Sequence, residues 1–125
     1  MNFPDHLRYT KDHEWMDAKN NPSLIGITQH AQDQLGDVVF VDLPKVGRTL
    51  SPGEAFGVVE SVKTVSDLYA PVGGVVKEVN EGLKEHPEWV NQDPYGKGWM
   101  IKLEATDPRA KEKLLESAAY QDLLK

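Results

Sequence analysis

The chain has 125 residues and no cysteine, about one domain's worth of sequence, which leaves out disulfide scaffolds, thiolate metal sites and thiol nucleophiles. Apolar residues make up 39% and charged residues 27%, the balance of a soluble protein able to bury a core of its own. A net charge of -6 argues against nucleic acid or an anionic membrane as the partner, because both select clusters of Lys and Arg.

The N-terminal "MNFPDHLRYT" has neither a basic-plus-apolar signal pattern nor an Arg/Ser-rich transit pattern, and no apolar run approaches a membrane span. A cytoplasmic chain is expected, forming a single domain over 1–125 with residues 1–8 as an extension. "SLIGIT" (23–28) is short and β-branched and reads as a strand bounded by "NNP". "TQHAQDQLG" follows with Thr28 as N-cap and Gly36 just past the end, so a short helix is expected over 29–35. "DVVFVDL" (37–43) is a strand ended by Pro44, and "EAFGVVE" (54–60), "DLYA" (67–70) and "GVVKEVN" (74–80) are strands parted by "SPGE" and "APVGG". "GVVESVKTVSD" contains no turn-forming dipeptide, so local propensity runs one strand straight through Lys63. "GWMIKLE" (98–104) alternates Trp99, Ile101 and Leu103 against Met100, Lys102 and Glu104, the pattern of a strand with one buried face.

The remaining residues, 106–125, predict a helical tail. Thr106 and Asp107 offer a cap and Pro108 sits at the first helical position, where its missing N–H costs nothing. Ala110, Leu114, Leu115 and Ala118 form an apolar stripe at helical spacing, and Ser117 is placed to cap a second short helix carrying Tyr120, Leu123 and Leu124. Many short strands with Gly/Pro turns and a helical tail read as a β-sandwich or barrel with peripheral helices. "PKVG" at 44–47 is echoed by "PVGG" at 71–74, which fits two half-units related by a pseudo-twofold as well as it fits chance.

The four histidines, at 6, 13, 30 and 86, show no pair at metal-ligand spacing, and His13 and Glu14 are adjacent and point apart on a strand. No nucleophile elbow, phosphate-cradling Gly loop or zinc-protease motif occurs. Lys63 stands out as a lone cation among valines, with Glu60 and Asp67 as its near carboxylates. A nucleophilic lysine must lose its proton, and anionic neighbours favour the ammonium, so catalysis by Lys63 is disfavoured. It reads either as an exposed, snorkelling lysine or as a residue on which another enzyme acts.

"VVESVKTVSDLYAPVGGVVKEVN" closely resembles the lipoyl-attachment segment of the H-protein family of the glycine cleavage system. "YTKDHEW" (9–15), "IGITQHAQDQLGDVVFVDLP" (25–44), "VGRTLSPGEAFGVVESVK" (46–63) and "VNQDPYGKGWMIKLE" (90–104) resemble further blocks of that family, in its order and spacing. The resemblance implies a barrel-sandwich hybrid in which Lys63 sits at the exposed tip of a hairpin and bears lipoic acid in amide linkage. It implies a carrier and not an enzyme. The lysyl stem plus lipoyl chain would let the dithiolane swing ~14 Å from the backbone.

The same resemblance implies a set of partners. A pyridoxal-phosphate glycine decarboxylase loads the aminomethyl group of glycine onto the arm, a tetrahydrofolate-dependent aminomethyltransferase removes it, and a flavin dihydrolipoamide dehydrogenase reoxidises the dithiol with NAD. Lipoate-attaching enzymes modify the lysine, and the carrier itself is expected to be a monomer. Glu60 resembles the acidic residue those attaching enzymes recognise. Gly47 and Gly74 resemble glycines that set the hairpin's presentation, or are ordinary turn glycines. Glu14, Ser66 and Asp67 match polar positions of a surface cleft that shelters the loaded arm, where a carboxylate could hold a cationic amine, or are simply solvated. Trp15 and Trp99 read as core. Gly73 departs from the family, which usually shows serine there.

Three related readings are weighed against this one. A lipoyl domain of a 2-oxo acid dehydrogenase usually carries an acidic residue directly before the lysine, where this chain has Val62. A biotin carrier would show flanking methionines, where this chain has Val62 and Thr64. An H-like paralogue acting as lipoyl donor or redox-signalling platform stays open as the alternative.

Overall fold

A computed structural model describes all residues 1–125 and resolves the apolar alternation into two antiparallel sheets. The strands are β1 (Arg8–Tyr9), β2 (Glu14–Met16), β3 (Ser23–Ile27), β4 (Val38–Asp42), β5 (Thr49–Leu50), β6 (Ala55–Ser61), β7 (Val65–Tyr69), β8 (Gly74–Val79) and β9 (Ile101–Ala105). A six-stranded sheet runs in the order β1-β2-β3-β9-β8-β5, and a three-stranded sheet runs β4-β6-β7. Apolar side chains from both, such as Ile25, Val76, Ile101 and Leu103 on one side and Val41, Phe56, Val59 and Leu68 on the other, form one buried cluster. This is the expected barrel-sandwich hybrid, with one pairing that closes the N-terminal half on the C-terminal half: Ile25 stands opposite Ile101.

The first helix forms where its caps predict it. In α1 (Gln29–Leu35) the Thr28 hydroxyl accepts the Ala31 N–H at 3.2 Å, and Gly36 ends it at φ 78°, a left-handed conformation that glycine adopts without penalty. Asn91, on the short helix α2 (Trp89–Gln92), fastens that end to the next strand. Its Nδ2 donates to Gly36 O at 2.7 Å and to Gln32 Oε1 at 3.0 Å, while its Oδ1 accepts the Val38 N–H at 2.8 Å.

Three expectations are corrected. The single strand that local propensity alone runs through Lys63 is two strands, β6 and β7, joined by a turn, as the family resemblance implied. In "GWMIKLE" the alternation holds from Ile101 onward, but Gly98–Met100 precede the strand and Met100 is fully buried with its neighbour Ile101. The tail begins as foreseen, with Asp107 Oδ1 accepting the Arg109 N–H at 3.0 Å and Pro108 in the first turn, yet Pro108–Lys113 is a 3₁₀ helix.

The chain then straightens, because Leu115 pairs with Tyr9 through two backbone hydrogen bonds of 2.8 Å. Only afterwards does α3 (Ser117–Leu123) form, so the stripe of Ala110 to Ala118 never shares a helix face and Ala118 is exposed. Ser117 does not cap: its hydroxyl donates to Phe3 O at 2.6 Å. A second apolar cluster of Leu7, Tyr9, Trp15 and Tyr120 therefore joins the two ends of the chain, with Tyr9 and Tyr120 stacked at 4.8 Å. The echoing segments 44–47 and 71–74 are not paired with each other: Gly74 stands opposite Leu50, and the Gly47 N–H donates to Val76 O at 2.8 Å. No helix is long and apolar enough to cross a membrane.

Candidate functional site

The turn that carries Lys63 is built by a serine. Ser61 is buried, and its Oγ accepts the N–H of Lys63 at 3.3 Å and of Thr64 at 3.1 Å. The Ser61 N–H closes the hairpin onto Thr64 O at 2.8 Å. A side-chain oxygen thus takes the role that a backbone carbonyl plays in an ordinary tight turn, and no residue of the tip needs a positive φ. The Val62 N–H donates to Asp37 O at 3.1 Å, which ties the tip to the segment between α1 and β4. Val62, Lys63 and Thr64 are all exposed.

Lys63 forms no ion pair with Glu60 or Asp67, contrary to the company that sequence proximity suggested. Its stem lies along Gly36 instead: a Cβ at position 36 would stand 3.0 Å from Lys63 Cε. Glu60 faces outward beside the turn, opposite Phe40 on β4 and Val65 on β7. Gly74 opens β8 opposite Leu50, and Gly47 lies just before β5 with its N–H donating to Val76 O at 2.8 Å, so both lie at the other sheet, away from the β6–β7 hairpin. Gly47 has φ 95°, which only glycine adopts freely, and a Cβ at Gly74 would meet Glu104 O at 2.3 Å. Both are explained by backbone geometry. Gly73 is tight as well, with a Cβ there falling 3.1 Å from Pro52 Cδ and 3.2 Å from Leu50 O.

Glu14, Ser66 and Asp67 come together. They line one cleft of about 150 Å³ between α1 and the β6–β7 hairpin, whose apolar wall includes Ile27, Leu35 and Leu68. Glu14 is buried at its base, where Thr10 Oγ1 donates to Oε1 at 2.7 Å and the Tyr69 N–H donates to Oε2 at 3.4 Å. Loss of solvation pushes the carboxyl up to about 8 against the pull of those donors, so near neutral pH it is mostly protonated. Ser66 and Asp67 lie three and four residues beyond Lys63 along the strand, about 10–13 Å at 3.3 Å per residue, within the reach of a lipoyl-length arm.

A feature that spacing did not reveal borders this cleft. His13 has φ 70°, an uncommon value for a residue with a side chain, and it bends the turn between β1 and β2. The bend brings its ring 4.8 Å from that of His30 and its Nδ1 2.7 Å from Tyr120 Oη, which lies 2.8 Å from Thr28 Oγ1. Burial first, and His30 second, hold His13 below the usual histidine range. No third ligand-type side chain completes a metal-binding group there. Trp15 is core, its Nε1 donating to Pro94 O at 3.0 Å, whereas Trp99 is half-buried beneath the Lys102 ammonium.

Two facing sheets, a hairpin that lifts one lysine into solvent and a cleft within arm's length describe a lipoyl-type carrier domain, the class to which this fold corresponds. Residues 7–125 match the sequence profile of the family described as Glycine cleavage H-protein, and the chain belongs to that family. A glycine cleavage system H protein from Symbiobacterium thermophilum is 57% identical over 124 residues, covering 99% of this chain and 97% of its own. One from Bacteroides thetaiotaomicron is 54% identical over 121 residues, covering 97% and 96%. The crystal structure of a glycine cleavage system H protein from Mycobacterium marinum superposes with a TM-score of 0.88 at 44% identity, covering 96% of this chain and 97% of that one.

Proposed function

We propose that this chain is the carrier of a glycine cleavage system, modified by lipoic acid on Lys63 and not itself a catalyst. The observation that carries the reading is the exposed Lys63 on a serine-braced hairpin, inside a full-length family match. When bound, the lipoyl group supplies a dithiolane able to accept the aminomethyl unit of glycine and two electrons. The chain's own residues present, shelter and release. The Ser61 turn holds the stem in solvent, where attaching enzymes can reach it, and Glu60 is the acidic mark they read.

Glu14, Ser66 and Asp67 form the polar lining of the cleft, and Leu35 and Leu68 exclude water from it. A cationic amine entering that cleft favours ionisation of Glu14, because a positive neighbour stabilises the carboxylate that burial otherwise disfavours. Gly47 and Gly74 act at a distance, through the β5–β8 pair that supports the sandwich. The proposed partners are a pyridoxal-phosphate glycine decarboxylase, a tetrahydrofolate-dependent aminomethyltransferase, a flavin dihydrolipoamide dehydrogenase and a lipoate-attaching enzyme. The proposed working form is a cytoplasmic monomer of one domain.

Mass spectrometry of protein made with abundant lipoate is expected to find one lipoyl group, on Lys63. Lys63→Arg is expected to abolish both the modification and glycine–bicarbonate exchange while shifting stability by less than about 0.5 kcal/mol, the usual range for an exposed site. An unmodified Lys63 in wild-type protein would sink the carrier reading. Lipoylated protein that fails to support exchange points instead to a lipoyl donor or redox platform.

A further inference from the structure

The left-handed turn at His13 brings its ring to that of His30 on α1, with 4.8 Å between the centroids. Two imidazoles bound to one tetrahedral ion through bonds of about 2.0 Å hold their centroids about 5 Å apart, so this pair is spaced to share a metal. His13 Nδ1 is engaged with Tyr120 Oη at 2.7 Å, which leaves Nε2 as the free nitrogen. With a metal on Nε2, Nδ1 keeps its proton and donates to Tyr120 Oη, and the tyrosine hydroxyl donates to Thr28 Oγ1 at 2.8 Å. A partner of this kind on the second nitrogen is what orients a ligating histidine. Two ligands do not hold an ion, and the chain supplies no third side chain beside them.

The missing ligands are within reach of the pair. The cleft that His13 borders runs along α1, past Ala31, Gln34 and Leu35, toward the helix end where Lys63 lies. The Lys63 stem rests against Gly36, and His30 stands about 9 Å from Gly36 along the helix axis. Of the ~14 Å of a lipoyl arm, the stem up to Cε takes about 5 Å, which leaves about 9 Å to the sulfurs. An arm lying in the cleft therefore brings its dithiolane level with His13 and His30. No Lys or Arg lines that cleft, whereas Asp12 and Asp67 do, so its field favours a cation.

We propose that the reduced arm and the His13–His30 pair together form a tetrahedral site for Zn²⁺, with two sulfurs and two nitrogens as ligands. The inference rests on Lys63 being the lipoylated residue. Thiolate and imidazole in a tetrahedral set select zinc among the common divalent ions. On binding, each thiol loses its proton and its sulfur bonds to the metal; two protons and the waters of the ion are released, and no electron moves. The closed disulfide offers no thiolate, and the aminomethyl-loaded arm offers only one. The site thus exists between unloading and reoxidation, and zinc in it parks the arm against the body of the protein.

The test measures Zn²⁺ affinity by competition with a chromophoric chelator, on the full-length lipoylated chain reduced and then freed of reductant. One Zn²⁺ per monomer is expected, bound at least about a hundredfold tighter than by the oxidised or the unlipoylated chain. His30→Gln and His13→Asn are each expected to weaken binding at least about a hundredfold, and Tyr120→Phe, which removes only the partner of His13, about tenfold. Asn tolerates the left-handed conformation at position 13, and His30→Gln, outside that turn, keeps the test valid should His13→Asn not fold. Co²⁺ in place of Zn²⁺ is expected to give the absorption of a tetrahedral thiolate site in wild type and a shifted spectrum in His30→Gln. The chain has no cysteine, so every thiol that a maleimide alkylates belongs to the arm. Zn²⁺ is expected to slow that alkylation in wild type and far less in His30→Gln. Wild-type affinity in His30→Gln overturns the proposal, because the dithiol would then bind alone, as does equal affinity in the oxidised chain or a complex of two chains per ion. A wild-type chain that gains no lipoyl mass overturns the lipoyl reading itself, a separate and recognisable outcome.

Discussion

Glu14 makes the stability of this fold depend on pH through a single buried carboxyl. Its ordinary value is 4.5 and burial raises it to about 8 in the folded state. Below about pH 4.5 folded and unfolded chains both hold the proton, and the contribution of Glu14 is at its most favourable. Between that value and about 8 the unfolded chain releases a proton that the folded chain keeps, so stability falls as pH rises, and above 8 it levels off. Glu14→Gln removes the window. Its stability relative to wild type is expected to grow by on the order of a few kcal/mol from one end of the window to the other, read from urea midpoints at acidic and alkaline pH. Parallel pH profiles for the two proteins would show that Glu14 titrates like an exposed carboxylate.

At the scale of elements, the hairpin depends on one hydroxyl. Ser61→Ala leaves the N–H groups of Lys63 and Thr64 without their acceptor, and a loss of about 1 kcal/mol is expected, the usual net worth of such bonds. Limited proteolysis is expected to open the chain between Val62 and Thr64 faster than in wild type, and unchanged cleavage would mean that the tip is held from elsewhere. This turn also shows why propensity missed it. Serine is no turn signal inside a valine-rich run, and its effect here requires burial beneath its own turn, which only the paired strands provide.

α1 was legible because Thr28 and Gly36 act within their own segment. β1 and β2 were not, since two or three residues are too few to show a period and their pairing hangs on the left-handed His13. The tail misled for the opposite reason. Its helical spacing is real in the sequence, but Leu115 is claimed by Tyr9, more than a hundred residues away in the chain. For the candidate site, the convergence of Glu14, Ser66 and Asp67 was legible only through the family resemblance, because no local spacing links position 14 to 66 and 67.

At the scale of the molecule, the termini form one structure. Phe3 packs edge-on against Tyr9 and Tyr120, Tyr9 OH donates to Pro4 O at 2.6 Å, and Ser117 reaches Phe3. Tyr120 is the fully buried centre of this arrangement and holds His13 and Thr28 through its hydroxyl. Tyr120→Ala is expected to cost about 3 kcal/mol or more, as for other buried aromatics, whereas Tyr120→Phe loses only the hydroxyl and is expected to cost about 1 kcal/mol. Denaturant midpoints give both values, and equal losses would mean that the hydroxyl chain and not the ring is what matters.

The bond between Tyr9 and Leu115 also fixes an order in time. A ribosome releases residue 9 long before residue 115: β3 has no β9 beside it until residue 105 is out, and the aromatic cluster around Tyr9 and Trp15 has no lid until Leu115 and Tyr120 follow. The sheet β4-β6-β7, by contrast, is drawn from one continuous stretch, 38–69, and all its partners are available halfway through synthesis. Because non-local pairs form last, the lysine hairpin has its own neighbours before the body that supports it is complete. Nascent chains halted before residue 101 would therefore carry an assembled tip on an open sandwich.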